Sequence, residues 1–130
     1  MERTTRQREA IRAVLEKEAR PMAPLQVLEA AQKEVPRLGL ATVYRTLKSL
    51  VEEGLVTQVS LPGEVAHYEI TNDRHHHHFH CRECGHVFEI ETCPANLQML
   101  TPRGFAVEDH DVVLYGRCPS CRNGRSRRSR

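Results

Sequence analysis

Apolar residues recur at helical spacing through the first third of the chain. Ile11, Val14 and Leu15 form one stripe, and Leu25, Leu28 and Ala31 form a second. Val43, Leu47, Leu50 and Val51 form a third. Breakers lie between them. Thr4 and Gln7 stand at capping-box spacing near the start of the first helix, and "RPMAP" ends it. Pro24 fits a first helical position, and "PRLG" closes the second helix at about Val35. The third spans about Ala41 to Glu53, where Gly54 stops it. The period then changes. "LVTQVSL" and "VAHYEI" are short β-rich runs around "PGE", which predicts a hairpin. Three short helices followed by a hairpin give the layout of a winged helix, a helix-turn-helix variant.

Thr71–Arg74, "TNDR", is polar and turn-prone and predicts a hinge. Beyond it "HHHHFHC" and "HVFEIE" read as strands around a Cys-x-x-Cys-Gly turn. "PANLQMLTPRG" reads as a short helix and "VEDHDVVLYGRC" as a last strand. The predicted fold class is α+β. A winged helix-turn-helix domain covers residues 1–72, a small mixed α/β domain covers 73–123, and a basic tail, 124–130, is expected to be disordered.

Composition narrows the class. Of 130 residues 39% are hydrophobic and none is tryptophan, so the core is modest and aliphatic. There is no apolar run of membrane-spanning length and no signal peptide, so a soluble cytoplasmic protein is expected, with no membrane partner. Net charge is only +2, and residues 1–72 carry ten basic against ten acidic side chains. Charge alone therefore does not select a nucleic-acid partner. The third helix does offer a suitable outward set in Thr42, Tyr44, Arg45 and Lys48, with Ser49 beside them. Hydrogen-bond donors, two cations and an aromatic suit phosphates and base edges in a major groove. A solvated polar face, or a winged helix that binds protein, fits the same residues.

The cysteines fall as Cys81-x-x-Cys84, Cys93 and Cys118-x-x-Cys121, with 33 residues between Cys84 and Cys118. Two chelating turns without an export signal point to metal rather than to disulfides. Four thiolates at this spacing make a closed structural zinc site, which leaves no open position for catalysis. Its role would be to staple a domain too small to be held by burial alone. Cys93 is left over and is read first as an inert buried thiol, with a ligand or redox role as the second reading.

Six of the eight histidines lie between Ile70 and His86. Side chains alternate faces along a strand. His76, His78 and His80 therefore share one face, and His75, His77 and Phe79 the other. Two pairs on opposite faces suit two separate metals, each completed from elsewhere by His67, Glu69, Glu89, Glu91 or His110. A polar edge strand with its histidines in water is the competing reading, and it fits one or two histidines better than six. His80 and His86 are read as surface histidines.

"GLATVYRTLKSLVEEGLV", the His-rich strand running into "CRECGHVFEI", and "HDVVLYGRCPSC" together resemble the ferric uptake regulator family. The likeness covers nearly the whole chain apart from the arginine tail. It implies a homodimeric repressor, with a winged-helix domain, a hinge and a dimerisation domain, binding palindromic double-stranded operators when metal is bound. Cys81, Cys84, Cys118 and Cys121 match the family's structural zinc ligands. Glu69, His76, His78 and Glu89 match its regulatory site, and Tyr44 and Arg45 match the recognition-helix pair. His75, His77 and His110 match a second site.

Two departures stand out. Pro21 occupies the place where many relatives carry a further regulatory histidine, and His67, on the same strand face as Glu69, is the substitute. The second site usually adds a glutamate from a helix after Glu89. This chain is about three residues shorter there, and Glu91, Cys93 or Asn96 falls near that position, of which Glu91 and Cys93 are good ligands. Nitrogen and carboxylate ligands suit Fe(II), Mn(II) or Zn(II), with iron or manganese ranked just ahead of zinc. A peroxide-sensing repressor of the same family, and a zinc-ribbon module whose winged helix binds protein, are the alternatives. No catalytic residue and no small organic substrate are expected. His67-Tyr68-Glu69 followed by a Cys-x-x-Cys faintly resembles zinc nucleobase deaminases. Neither cysteine pair is preceded by proline, however, and the second pair would have no role.

Overall fold

The structure is a computed structural model that describes residues 2–72, 75–93 and 97–123, with side chains from Thr4 onward. The expected basic tail and the second half of the expected hinge lie outside the described residues. So does the start of "PANLQMLTPRG". The chain divides into two compact units, Met1–Asp73 and Arg74–Arg130.

The first unit is built from α1 (Glu2–Glu18), α2 (Pro24–Ala31), α3 (Leu40–Glu52), β1 (Val56–Val59) and β2 (His67–Ile70). Its core follows the three stripes. Ile11 and Leu15 of α1, Val27 and Ala31 of α2, and Val43, Leu47 and Leu50 of α3 are all fully buried. Met22, Leu38 and Val56 join them. At about 1.5–3 kcal/mol per large aliphatic side chain, this burial is what holds the three helices together. Two readings of the pattern need correction. α1 begins at Glu2, so Thr4 lies inside the helix and does not cap it. α2 stops at Ala31, short of Val35, and Leu25 is 55% exposed while Val27 takes the inward position. The Gln26 side chain instead accepts from the Ala23 N–H at 3.0 Å, one half of a capping box.

α3 ends as its sequence requires. Gly54 takes φ +81°, where an L side chain would be strained, and the Leu55 N–H reaches back to the Leu50 carbonyl at 3.0 Å. β1 and β2 pair antiparallel, Val56 opposite Ile70. The "RPMAP" breaker is more than a connector. Met22 and Tyr68 exchange both backbone hydrogen bonds at 2.8 Å, so this segment lies along β2 as a third, one-residue rung.

The second unit contains β3 (His77–Cys81), β4 (Val87–Ile90), a 3-10 turn at Leu97–Leu100, β5 (Val113–Gly116) and α4 (Pro119–Arg122). The sheet order is β4-β3-β5. β3 runs antiparallel to β4 and parallel to β5. The sequence pattern does not reveal α4, a single turn begun by Pro119 that carries Cys121 inward. Among the described residues, one buried cluster of this unit consists of Cys81, Cys118 and Cys121, with Phe79, Cys84 and Phe88 packed against them. The mixed helix and sheet agree with the expected α+β class. Among the described residues no helix is long and apolar enough to cross a membrane.

Candidate metal centres and helix face

Cys81 ends β3, Cys84 lies in the turn that follows, and Cys118 and Cys121 bracket the start of α4. The ligand atoms of all four lie within 4.8 Å of one another. Gly85 makes the first turn possible with φ +80°, and its N–H returns to the Cys81 carbonyl at 2.9 Å.

The electrostatics of the cluster are uneven. Burial opposes ionisation of Cys81, but backbone N–H groups of Cys84, Cys118 and Glu83 outweigh it and draw the thiol down to about 6. Two of those donors lie 3.5 Å and 3.3 Å from its sulfur. Cys84 is pushed up to about 12, first by burial and then by the crowding of the other three sulfurs. Four neighbouring thiolates repel one another unless a cation sits among them. An all-sulfur donor set of this compactness fits Zn(II), bonded at about 2.3 Å to each sulfur.

The histidine strand divides by parity as expected. On one face the His76 and His78 rings are 5.1 Å apart, and His76 Nε2 lies 3.1 Å from Glu89 Oε2. Glu89 stands opposite His78 in the register. These three offer two imidazoles and a carboxylate. In the first unit His67 and Glu69 sit at alternate positions of β2, and both are buried. His67 Nδ1 lies 2.9 Å from the Val65 carbonyl, to which its N–H donates. That tautomer leaves Nε2 with its lone pair, the state a metal ligand needs.

On the other face of β3 the His75 ring stands 4.4 Å from that of His77 and 4.7 Å from that of His110. The fourth member of this group is Cys93, with ligand atoms again within 4.8 Å. Cys93 Sγ lies 3.1 Å from His110 Nε2 and 3.4 Å from His77 Nε2. The reading of Cys93 as an inert buried thiol is therefore corrected, since it is free and not buried. Glu91, expected in this group, is not among its members. The register gives the reason. His78 pairs Glu89, and residues two apart share a strand face, so Glu91 keeps to the face of Glu89, His76 and His78, opposite that of His75 and His77. Cys93 arrives because the chain has left the strand after Ile90. The signal in the sequence was the unclaimed cysteine itself. His80 also needs correction: it is buried, beside the Tyr115 ring at 5.8 Å.

The candidate recognition face is open. Tyr44 is 48% exposed, and Arg45 and Lys48 are exposed beside it. Arg45 Nη2 donates to Thr42 Oγ1 at 3.1 Å. Ser49 is instead held by Glu53, to which it donates at 3.1 Å, and by Arg8 of α1.

The chain is similar to known proteins. The model of the ferric uptake regulator family matches residues 2–115. The ferric uptake regulation protein of Bacillus subtilis is 35% identical over 128 residues, 93% of this chain and 85% of that protein. That of Bordetella parapertussis is 35% identical over 102 residues, 76% of this chain and 73% of that protein. The solved structure of a zinc-bound manganese uptake regulator aligns with a TM-score of 0.73 at 26% identity, covering 86% of this chain and 87% of that one. A mixed helix-and-sheet chain with clustered metal-ligating side chains is thus, in class, a metal-responsive transcriptional regulator. The chain belongs to the ferric uptake regulator family.

Proposed function

We propose that this chain is a homodimeric repressor that binds palindromic operators when a regulatory divalent metal is bound. The observation that carries the reading is the distribution of ligand-type side chains. His67 and Glu69 lie on β2 of the winged-helix unit, and His76, His78 and Glu89 lie on β3 and β4 of the other. Residues 73 and 74 fall between the two sets, so one shared ion would tie the units together. In a dimer the separation of the two α3 helices must match the spacing of half-sites on DNA. A metal that favours one arrangement of the units therefore favours DNA binding, with a coupling of about 1–3 kcal/mol.

Each residue has a part of its own. Glu69 and Glu89 supply negative charge, and His67, His76 and His78 supply neutral nitrogen. A set without sulfur suits Fe(II) or Mn(II), with Zn(II) close behind. Cys81, Cys84, Cys118 and Cys121 would hold a structural Zn(II). Tyr44, Arg45, Lys48 and Thr42 would meet the duplex, with Arg45 and Lys48 on phosphates or base edges. Such a protein would work in the cytoplasm and carry out no catalysis.

The test is an operator-binding titration with Fe(II), Mn(II) and Zn(II) in parallel, on the wild type, His76→Ala and Glu69→Ala. The expected outcome is metal-dependent binding in the wild type, and a loss of roughly 5–150-fold in metal response in both variants. Unchanged zinc content in the variants would show that the fold is kept. Wild-type metal response in His76→Ala would refute the assignment.

A further inference from the structure

We propose that Cys93 is a metal ligand, and that its thiolate joins His75 and His110 in a nitrogen–sulfur site for a Zn(II)-class ion. This site is separate from the four-sulfur cluster and from the carboxylate-containing set on the opposite face of β3.

Three potential donor atoms converge. His75 Nε2 and His110 Nε2 are 3.1 Å apart, and Cys93 Sγ is 3.1 Å from His110 Nε2. Bonds to zinc of about 2.0–2.1 Å from nitrogen and about 2.3 Å from sulfur place neighbouring ligand atoms about 3–4 Å apart. The spacing found here is of that order. Two imidazole nitrogens facing each other this closely, with a sulfur beside them, need a proton or a cation between them.

His77 has a different part. The Val112 N–H donates to its Nδ1 at 3.1 Å, so the proton of the neutral ring sits on Nε2. That N–H faces Cys93 Sγ at 3.4 Å and donates to it. His77 is therefore a positioning residue that holds the thiolate. The second site read from the sequence left its further ligand open between a carboxylate, Glu91, and the Cys93 thiol. A thiolate there, rather than a carboxylate, changes the preferred metal, since sulfur favours Zn(II) and Co(II) over Mn(II). Three protein ligands and a sulfur that is not buried also make this site exchange its metal more readily than the four-cysteine cluster does.

Cobalt substitution of the full-length chain tests the assignment. Protein that retains one zinc per chain is titrated with Co(II), and absorption is followed. The wild type should develop a near-ultraviolet thiolate-to-cobalt charge-transfer band. Cys93→Ser should lack that band while retaining its zinc and its circular dichroism spectrum. Cobalt affinity in Cys93→Ser should fall by more than the roughly 10–100-fold typical of losing an outer hydrogen-bond partner. His110→Ala should likewise weaken cobalt binding and the band with it. His77→Ala should keep the band at lower affinity and move it to longer wavelength, because an N–H donor lowers the energy of the sulfur lone pairs. A band of equal strength in Cys93→Ser, or no band in the wild type, overturns the ligand assignment. Disappearance of the band in His77→Ala would make His77 a ligand and overturn its positioning role.

Discussion

Cys81 and Cys84 are three residues apart and are pulled in opposite directions. Two backbone N–H groups donate to Cys81, and its thiol is drawn down to about 6. Cys84 meets the other sulfurs, and its thiol is pushed up to about 12. Without a cation the cluster settles for partial ionisation. With Zn(II) all four can be thiolates, and the protons leave as the metal binds. Apparent binding energies for structural zinc sites are about 10–16 kcal/mol near neutral pH, which exceeds the stability of most domains. Removing the most readily ionised sulfur should therefore be decisive. We expect Cys81→Ser to lose zinc, measured as metal per chain by elemental analysis, and to lose the fixed structure of β3–β5 with it. Full zinc retention in Cys81→Ser would mean that three sulfurs suffice.

Among the elements, α3 has two tasks on one helix. Its inward side places Val43, Leu47 and Leu50 in the core, and its outward side presents Tyr44, Arg45 and Lys48. Leu47 is fully buried among residues of α1 and α2. Leu47→Ala should cost about 2–5 kcal/mol of unfolding free energy, read as a fall in the denaturation midpoint of the first unit. A change under about 1 kcal/mol would mean that the stripe does not carry the packing.

The same helix shows what the sequence made legible. A 3.6-residue stripe followed by Gly54 located α3 to within a residue at each end. Parity along "HHHHFH" separated His76 and His78 from His75 and His77, because a strand's two-residue period is a geometric constraint. The alternation failed where the chain stopped being regular. Leu25 looked inward on spacing alone, but Pro24 starts α2 there and Val27 faces the core. Thr4 had the residue type of a cap, but the helix begins earlier. Cys93 and α4 lie outside long periodic segments, so α4 left no pattern to read and Cys93 was one of several candidates for its site. Their placement depends on tertiary contacts with His110 and with the cysteine cluster.

At the scale of the whole molecule, the two units are held by unlike forces. The first has an aliphatic core built from three helices and a hairpin. The second buries a cluster made of cysteines, with two phenylalanines and Cys84 around it. That cluster is also the candidate structural zinc site, so removing the proposed zinc should act on the two units unequally. Far-ultraviolet circular dichroism can separate them. α1, α2 and α3 contain 17, 8 and 13 residues and belong to the first unit, whereas α4 contributes 4. Treatment with a strong chelator should therefore leave most of the helical signal intact. The same treatment should remove amide-exchange protection from β3, β4 and β5. A parallel loss of helical signal on chelation would show that the first unit depends on the zinc-bound second unit, and that its own core is too small to stand without it.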